Sequence, residues 1–583
     1  MRKTKIIATL GPACNDVETM KTMIRTGMSA ARINFSHGNY ESHTDTISKI
    51  KEARKALDVP IPLILDTKGP EIRIKTFKEG KVFLKQNSTF ILTTEDIEGS
   101  EERVSVTYED LPKDVSMGSR ILLDDGLIEL LVQSITDTDI ICKVTNEGFL
   151  SSRKGVNVPD VYVNLPSLTE QDISDLKFGI KMGFDFIAAS FIRSATDVLN
   201  IKQILEENGG VHIKIIAKIE NRDGVDNIDS ILEVADGIMV ARGDLGVEIP
   251  PEEVPMVQKT LIQRANLLGK LVITATQMLE SMTKNPRPTR AEANDVANAI
   301  FEGTDIVMLS GETASGQYPV ESISMMARIA QSAEGSQEYF NVIEHSRKKN
   351  ITNAISFAAC ATAKDLNASC IVAVTDSGFA ANMVARSRPE VPILALTTSE
   401  QVCRQLNLSW GCKPMLVEDI SGNDEVFDVV EEMALKSGLA NIGDAVIALA
   451  GVPIGIAATT NTLKVRIVGN VLAHGKVYQG GNKTVQGIAR VFKVMEERDY
   501  FFERGDILIA TKTSDDMIEY IKKASALVVG SWEQVDTSHA ETVAKALDIP
   551  LLIAQEKVVD LIGDGIAITV DCNEGFVFNG YRN

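Results

Sequence analysis

The chain has 583 residues, 44% of them apolar and 24% charged, so it can bury large hydrophobic cores in about four domains. Acidic residues outnumber basic ones by 80 to 60, and the net charge of −20 disfavours a general nucleic-acid or acidic-membrane surface. Seven scattered cysteines without a CxxC pair indicate reduced thiols in a cytoplasmic protein. We expect no signal peptide, because only IIATL follows the basic start before Gly11 and Pro12. We expect no membrane helix, because no run approaches the ~20 apolar residues of a membrane span.

Short apolar runs alternate with helical patterns through the first 340 residues. The runs are KIIATL, SAARINFS, IPLILDT, DFIAASF, IKIIAKI, GIMVAR, LVITATQ and DIVMLSG, with amphipathic segments such as TEQDISDLKFGIKMG between them. Eight strand–helix pairs predict a (β/α)₈ TIM barrel over residues 1–69 and 165–340. In such barrels the active site gathers at the carboxyl ends of the strands.

Two neighbouring strand ends in this pattern carry charged residues. Lys218 and Glu220 close one strand, Arg242 and Asp244 close the next, and NRDGVDNIDSILEVAD between them predicts one amphipathic helix. Because strand side chains alternate, Lys218 and Glu220 share a face. Two carboxylates with a lysine between them suit Mg²⁺ and an anionic substrate. The alternative is a set of surface salt bridges.

The remaining predicted strand ends are also polar. A buried hydrophobic core does not account for so many polar side chains on one rim. They are Arg32, Asn34, Ser36, Asp66, Thr67, Ser190, Thr276, Ser310 and Glu312.

The alternation stops once, over residues 70–164. There, short runs of period two with turn residues predict a small antiparallel β-barrel domain inserted after the third barrel strand. At the active-site end such a domain can act as a lid that excludes water, with Arg153 and Lys154 supplying positive charge. The alternative is a packing or interface domain.

Two further domains are predicted beyond the charged segment HSRKKN. Strands CIVAVT, ILALT, KPMLV and AVIALAG alternate with helices and predict an α/β domain over residues 341–470. In it, Thr375, Ser377 and Gly378 open a helix whose backbone amides can seat the phosphate of an effector, although an ordinary helix cap explains them equally well. Gly-rich turns and β runs predict a compact domain over residues 471–583.

Eight motifs in order closely resemble those of the pyruvate kinase family, over residues 1 to about 470. They are ARINFSHG, LDTKGPEIR, KGVNVP, IAKIEN, ARGDLG, TATQMLESM, PRPTRAE and MLSGETA. The resemblance implies transfer of phosphate from phosphoenolpyruvate to ADP, giving pyruvate and ATP in the last step of glycolysis. It also implies dependence on Mg²⁺ (or Mn²⁺) and K⁺, a mobile lid, a carboxyl-terminal allosteric domain and a cytoplasmic homotetramer.

The resemblance assigns roles to the strand-end residues. It implies that Glu220 and Asp244 ligate the divalent cation and that Arg32 binds the phosphate. Lys218 would stabilise the transferring phosphoryl group and the developing enolate. The backbone of Gly243 and Asp244, with the Thr276 hydroxyl, would hold the substrate carboxylate.

Three further roles follow from the same resemblance. Arg73 and Lys154 would serve the nucleotide, in a pocket that also includes Pro12. A water near Thr276, Ser310 and Glu312 is our preferred proton source for the enolate, over Lys218 itself. The residues implied for K⁺ are Asn34, Ser36, Asp66 and Thr67, with Glu71 as the residue that accompanies K⁺ dependence.

The sequence departs from the family pattern at three places. Cys14 stands where serine is usual, near Pro12, and is expected to make the site sensitive to oxidants. Asp160 replaces a common glycine at the lid hinge. The loop at 375–380 lacks the Ser/Thr-rich cluster of forms activated by fructose 1,6-bisphosphate, so a sugar monophosphate, a nucleotide or no activator remain open.

The last domain resembles the phosphohistidine domain of phosphoenolpyruvate-utilising enzymes. The similar stretches are GGNKTVQGIARV, GDILIATKTS and DTSHAETVAKALDIPLLI, and His539 matches the histidine that is phosphorylated there. Gln534 and Val535 stand where a glycine pair is usual. We therefore expect a structural appendage rather than a second catalytic centre.

Two other functions stay open at this point. A Mg²⁺-dependent barrel lyase acting on pyruvate or its enolate would share Glu220 and Asp244 but would not need a lid or Arg73. A catalytically inactive metabolite sensor is disfavoured, because none of the expected catalytic and metal-binding residues is missing. His37, in the NFSHG turn, is expected to be structural rather than a general base.

Overall fold

The computed structural model describes residues 1–336, 351–418, 425–451, 460–469, 471–481, 483–493, 501–530 and 536–581. The chain divides into two compact units, Met1–Phe357 with Thr375–Asp419, and Ala358–Val374 with Ile420–Asn583. Gln534, Val535 and the predicted domain boundaries at 340/341 and 470 lie outside the described residues.

The chain begins with alternating strands and helices. They are β1 (Lys5–Thr9), α1 (Val17–Thr26), β2 (Ala30–Asn34), α2 (Tyr40–Leu57) and β3 (Leu63–Asp66). All residues of β1 and β3 are buried, as expected of parallel strands covered on both faces. Asp16 caps α1 by accepting a hydrogen bond from the Thr19 amide, so the helix starts where a short acceptor precedes the apolar pattern.

An inserted β domain follows β3. Its elements are β4 (Ile72–Arg73), β5 (Lys81–Leu84), β6 (Thr89–Thr93), β7 (Arg103–Ser105), α3 (Leu111–Asp114), β8 (Arg120–Leu123), β9 (Ile128–Ile135), β10 (Asp139–Val144), β11 (Gly148–Ser151) and β12 (Gly155–Asn157). Seven strands form one sheet in the order β4-β12-β8-β9-β10-β6-β7, and β5 pairs with β11. A bridge between Ile74 and Val106 joins the two ends of the sheet, so it curls into the predicted small barrel.

The chain then resumes its alternation. The elements are α4 (Glu170–Met182), β13 (Phe186–Ala189), α5 (Ala195–Glu207), β14 (Lys214–Ile219), α6 (Arg222–Asp226), α7 (Ile228–Val234), β15 (Gly237–Ala241), α8 (Arg242–Glu248), α9 (Val254–Leu268), β16 (Leu271–Ala275), α10 (Arg290–Phe301), β17 (Ile306–Leu309), α11 (Gly311–Ala314) and α12 (Pro319–Glu334). The parallel strands close in the order β1-β17-β16-β15-β14-β13-β3-β2, which confirms the predicted TIM barrel.

The segment predicted as one helix after β14 is two helices, α6 and α7. Asn227 separates them with a non-helical ψ of 12°, and its side-chain amide donates to the Arg193 carbonyl at 2.9 Å. This tertiary hydrogen bond outweighs the continuous amphipathic pattern.

Hydrogen bonds to barrel residues hold both of the segments that connect the barrel to the inserted domain. On the way out, the Gly69 amide donates to Asp172 Oδ1 at 3.0 Å. On the way back, the two Nη atoms of Arg193 donate to the carbonyls of Val163 and Leu165 at 2.8 and 2.7 Å. The inserted domain is therefore held at both of its ends.

The carboxyl-terminal part alternates helices and strands again, which confirms the predicted α/β domain. Its elements are α13 (Ile351–Asp365), β18 (Cys370–Val374), α14 (Phe379–Arg386), β19 (Ile393–Thr397), α15 (Glu400–Leu406), β20 (Cys412–Leu416), α16 (Glu425–Lys436), β21 (Ala445–Ala450) and β22 (Thr462–Ile467). In the first unit β19 and β20 are parallel; in the second, β21 pairs in parallel with β18 and antiparallel with β22.

The last domain is a second closed barrel. It contains β23 (Val471–Gln479), β24 (Thr484–Phe492), β25 (Ile507–Ala510), α17 (Ile518–Ile521), β26 (Ala526–Gly530), α18 (Ser538–Leu547), β27 (Leu551–Ala554), α19 (Val558–Leu561), β28 (Ala567–Asp571) and β29 (Phe576–Asn579). The strand order is β23-β27-β26-β25-β24-β28-β29. Among all the described helices, none is both long enough and apolar enough to cross a bilayer.

Candidate active site

Lys218 lies among oxygen atoms from three neighbouring barrel strands. Its ammonium group is 3.0 Å from Asp66 Oδ1, 2.7 Å from Ser190 Oγ and 3.0 Å from Glu220 Oε1. Burial alone would lower the pKa of Lys218, but the carboxylates of Asp66 and Glu220 outweigh burial and raise it. The site therefore contains a fixed positive charge at neutral pH.

Asp66 holds a second cation beside the first. Arg32 Nε donates to Asp66 Oδ2 at 2.6 Å, and Arg32 Nη1 donates to Thr9 Oγ1 at 2.9 Å. Asp66 is 1% exposed; burial would raise its pKa, yet Arg32 and Lys218 hold the pKa below its usual value. One ionised carboxylate thus orients two cations, an arrangement that suits a phosphate group.

Glu220 and Asp244 form the acidic half of the site. Glu220 Oε2 accepts from the Phe191 amide at 2.6 Å, and the Asp244 carboxyl group lies within hydrogen-bonding reach of Glu220. Burial raises the pKa of Glu220 to about 7, and Asp244 adds to the rise. Enclosure in the site likewise raises the pKa of Asp244. Burial therefore makes ionisation of this pair costly, whereas the hydrogen bond with Glu220 partly offsets the rise at Asp244.

These two carboxylates fit a divalent cation. With Asp66 they give three carboxylates against the two cations Arg32 and Lys218, so the ionised cluster carries excess negative charge. Mg²⁺ commonly takes one or two carboxylates and completes its shell with substrate oxygens and water. Across the described ranges, no three His, Cys, Asp or Glu side chains converge into a metal cage, so a cation here would depend on such additional ligands.

Thr276 is held in a strained conformation next to α8. Its φ is 66°, that of Gln277 is 53°, and the Thr276 carbonyl accepts from Arg242 Nη2 at 2.7 Å. The Thr276 hydroxyl accepts from the Gly243 amide at 2.8 Å. The structure therefore brings Thr276, Gly243 and Asp244 together, and it gives Arg242 a positioning role that the sequence did not reveal.

Glu312 holds together the segments that follow β16 and β17 by accepting hydrogen bonds from their backbone amides. Its Oε1 accepts from the Leu279 amide at 3.0 Å and its Oε2 from the Ser310 amide at 2.7 Å. The carboxylate is 1% exposed and joins the segments that follow β16 and β17. It thereby fixes Ser310 at the rim.

The four residues expected for K⁺ lie at the ends of the paired strands β2 and β3. Asn34 is the direct register partner of Asp66. Asn34 Oδ1 accepts from the Ser36 amide at 3.0 Å, and Thr67 Oγ1 accepts from the Ser190 amide at 3.1 Å. All four side chains carry oxygen, the donor type that a hard monovalent cation requires.

A cavity of about 580 Å³ opens beside Asp244 and is partly lined by the inserted domain. Arg73 and Lys154 line it; Arg73 makes two hydrogen bonds to Glu71, at 2.6 and 2.8 Å, and Lys154 is 2.8 Å from Asp124 Oδ1. The structure therefore brings Arg73 and Lys154 to one cavity that is large enough for a nucleotide. Pro12 is not part of its lining.

Two of the departures from the family pattern now have physical consequences. Cys14 is buried, and burial raises the pKa of its thiol to about 11, which argues against the expected sensitivity to oxidants. Asp160 has a φ of 62°, which explains why glycine suits this hinge position.

The remaining candidates have local partners. Thr375 Oγ1 accepts from the Gly378 amide at 3.0 Å, so one amide of the suggested effector loop is already used, and Ser377 is exposed. His37 is also exposed, and its carbonyl accepts a hydrogen bond from His43, a structural arrangement. His539 lies in the first turn of α18, with Nδ1 2.8 Å from Thr513 Oγ1 and Nε2 3.1 Å from Asp515 Oδ1.

Fixed positive charge beside two adjacent carboxyl groups, at the carboxyl ends of barrel strands, is the arrangement expected of a phosphotransferase. Family models match the chain in three parts: the pyruvate kinase barrel domain over residues 1–323, the pyruvate kinase alpha/beta domain over 353–466, and the mobile domain of PEP-utilising enzymes over 502–575. The chain belongs to the pyruvate kinase family.

Full-length relatives agree with this assignment. The chain is 48% identical to a pyruvate kinase from Geobacillus stearothermophilus, over all of this chain and 99% of the relative. It is 46% identical to one from Staphylococcus aureus (strain MRSA252), over the whole of both chains. The crystal structure of a pyruvate kinase from Cryptosporidium parvum is 42% identical, with a TM-score of 0.76 over 80% of this chain and 96% of that chain.

Proposed function

We propose that this enzyme transfers the phosphoryl group of phosphoenolpyruvate to ADP, giving pyruvate and ATP in the last step of glycolysis. The observation that carries the proposal is the sharing of Asp66 by Arg32 and Lys218, immediately beside Glu220. Phosphoryl transfer needs positioning and neutralisation of charge more than covalent chemistry, and this arrangement supplies both.

The two cations act on the phosphate end of the substrate. Arg32 is held by Asp66 and Thr9 and binds the phosphate from one side. Lys218 meets the transferring oxygens and then the enolate oxygen that is left behind. Because three oxygens already fix the ammonium group, little reorganisation is required as charge develops.

Glu220 and Asp244 would hold Mg²⁺ or Mn²⁺, and Asn34, Ser36, Asp66 and Thr67 would hold K⁺. When bound, these ions supply positive charge that offsets the phosphate and carboxylate of the substrate. The carboxyl pair supports the first assignment, because its two groups are adjacent and the pKa of each is raised, so ionising both without a cation is costly. The register pairing of Asn34 with Asp66 supports the second.

The carboxylate end of the substrate would meet the backbone of Gly243 and Asp244 and the hydroxyl of Thr276. The strained Thr276 backbone keeps that hydroxyl beside the Gly243 amide. Protonation of the enolate carbon would come from a water near Thr276 and Ser310, with Glu312 fixing the backbone around it.

Arg73 and Lys154 would bind the nucleotide phosphates, and Pro12 would contribute to the nucleotide site. The inserted domain would act as a lid, since it brings Arg73 and Lys154 to the cavity that Asp244 also lines. Closing such a lid excludes water from the phosphoryl group.

Assembly, location and regulation follow the family resemblance. We propose a cytoplasmic homotetramer with a phosphorylated effector bound near Thr375, Ser377 and Gly378. Seven scattered cysteines without a CxxC pair support a reducing compartment. The proposed domain limits are 1–69 with 165–340, 70–164, 341–470 and 471–583.

A coupled assay of pyruvate release from phosphoenolpyruvate, with and without ADP, tests the proposed reaction. We expect release only when ADP, a divalent cation and K⁺ are all present, together with equimolar ATP. Release that does not depend on ADP would indicate a lyase. Binding of phosphoenolpyruvate without turnover would indicate a metabolite sensor.

A further inference from the structure

A side-chain hydrogen bond joins the inserted domain to the helix that carries Asp244. Asn157 Nδ2, at the end of β12, donates to Glu248 Oε1, at the end of α8, over 2.7 Å. Both residues line the cavity that contains Arg73, Lys154 and Asp244. The contact therefore joins the inserted domain to the barrel within the wall of the proposed nucleotide site.

On the inserted domain, Asn157 lies in the β4–β12 ribbon, the strand pair that also carries Arg73 and Lys154. β12 lies between β4 and β8, and Gly155 is the register partner of Arg73. Lys154 directly precedes Gly155, and the Arg73 guanidinium donates to the Arg153 carbonyl at 2.7 Å. Fixing Asn157 thus fixes the ribbon that carries both cations.

On the barrel, Glu248 shares a helix face with the proposed metal ligand. Asp244 and Glu248 are four residues apart in α8, so their side chains lie one above the other. Burial and the acidic groups Asp160, Asp223 and Glu220 raise the pKa of Glu248, and the Asn157 hydrogen bond opposes that rise. The Asn157 amide satisfies one oxygen of the Glu248 carboxylate without adding a further negative charge to these acidic surroundings.

We propose that Asn157 and Glu248 form a latch that sets the position of Arg73 and Lys154 relative to Asp244, and with it the approach of ADP to the phosphoryl group. Both are positioning residues, because neither is required to touch the reacting atoms. The inference rests on the proposed function and adds to it the contact that holds the lid in its reactive position.

The test first breaks the hydrogen bond between Asn157 and Glu248 and then restores it with donor and acceptor exchanged. Asn157→Asp places a second carboxylate against Glu248, so we expect the KM for ADP to rise about tenfold and kcat to fall, by loss of a hydrogen bond to a charged group. The KM for phosphoenolpyruvate should change less than twofold, since Arg32 and Lys218 lie on the barrel. The double variant Asn157→Asp with Glu248→Gln lets the amide donate to the carboxylate and should return the KM for ADP to within about threefold of wild type.

Gln86→Glu is the matched control, because it adds the same charge to an exposed position of the inserted domain outside the cavity. It should leave both KM values and kcat unchanged. Thermal unfolding of every variant, measured beside the kinetics, separates loss of the latch from loss of the fold.

The outcomes separate this inference from the proposed function. A wild-type enzyme without ADP-dependent turnover would reject the function. An active wild type with an unchanged KM for ADP in Asn157→Asp would overturn the latch. So would failure of the folded double variant to recover, or an equal loss in Gln86→Glu.

Discussion

Replacing Lys218 with methionine removes the ammonium group that Asp66, Ser190 and Glu220 share while keeping most of the side-chain volume. Loss of a single preorganised hydrogen-bond donor costs about 10²–10³ in kcat, and loss of a full charge at a phosphoryl-transfer site costs about 10³–10⁵. Lys218 is a full charge with three fixed oxygen partners, so we expect kcat to fall about 10⁴-fold, or ~5 kcal/mol.

The fold should survive this change. Breaking a buried ion pair costs about 3–5 kcal/mol when a charge is left unpaired. Here Asp66 keeps Arg32, and Glu220, whose pKa is already about 7, can take up a proton instead of remaining charged. The loss of stability should therefore lie at or below the lower end of that range.

The assay is ADP-dependent pyruvate release at saturating substrates, with Mg²⁺-dependent binding of phosphoenolpyruvate followed by calorimetry. Binding should remain detectable in Lys218→Met. Lys214→Met is the matched control, because Lys214 starts the same strand, about 13 Å away at the other end of the barrel, and its loss should leave kcat unchanged. A kcat of Lys218→Met within tenfold of wild type would refute the assigned role.

Four further outcomes are expected. Because burial raises the pKa of Glu220 to about 7, Mn²⁺ affinity of the substrate-free enzyme should fall about tenfold per pH unit below pH 7; equal affinity at pH 6 and pH 8 would contradict this. The pKa of Glu220 is higher in the folded than in the unfolded enzyme, so its contribution to the stability of the metal-free enzyme is present at acidic pH and is lost as the pH rises through about 7. Denaturant titrations should therefore show a more stable metal-free enzyme at pH 5 than at pH 8 as far as this group decides the difference. In Na⁺-free buffer K⁺ should activate the enzyme, and equal rates with and without K⁺ would count against the proposed site. Cys14 should resist alkylation at pH 8 in the native enzyme, since its thiol pKa is about 11, and rapid labelling detected by mass spectrometry would disprove the effect of burial.

His539 allows one more measurement. We expect no acid-labile label on this residue after incubation with labelled phosphoenolpyruvate, because both of its ring nitrogens already have partners in Thr513 and Asp515. Label that maps to His539 and is lost in His539→Ala would show that the last domain is a second catalytic centre.

Sequence patterns were sufficient for the barrel and for most of its rim. Parallel strands buried on both faces appear as continuous apolar runs, and their polar carboxyl ends stand out against them. β14 illustrates this: its apolar run ends in Lys218 and Glu220, which the structure places 3.0 Å apart.

Other features depend on contacts that local patterns do not encode. The break between α6 and α7 depends on a hydrogen bond from Asn227 to a distant carbonyl. The positive φ values of Phe191 and Thr276 occur at residues that rarely adopt them, so only their surroundings explain them. The contact of Asn157 with Glu248 requires the relative placement of two domains, which neither strand nor helix periodicity determines.

The hydrogen bonds that hold both connections of the inserted domain to the barrel have a practical consequence for protein engineering. All three hydrogen bonds that secure the cut ends remain when residues 70–162 are exchanged, because their partners Gly69, Asp172, Val163, Leu165 and Arg193 lie outside that segment. The enzyme thus offers a defined insertion site, where a foreign domain can replace the inserted one while the strand-end residues of the barrel stay in place.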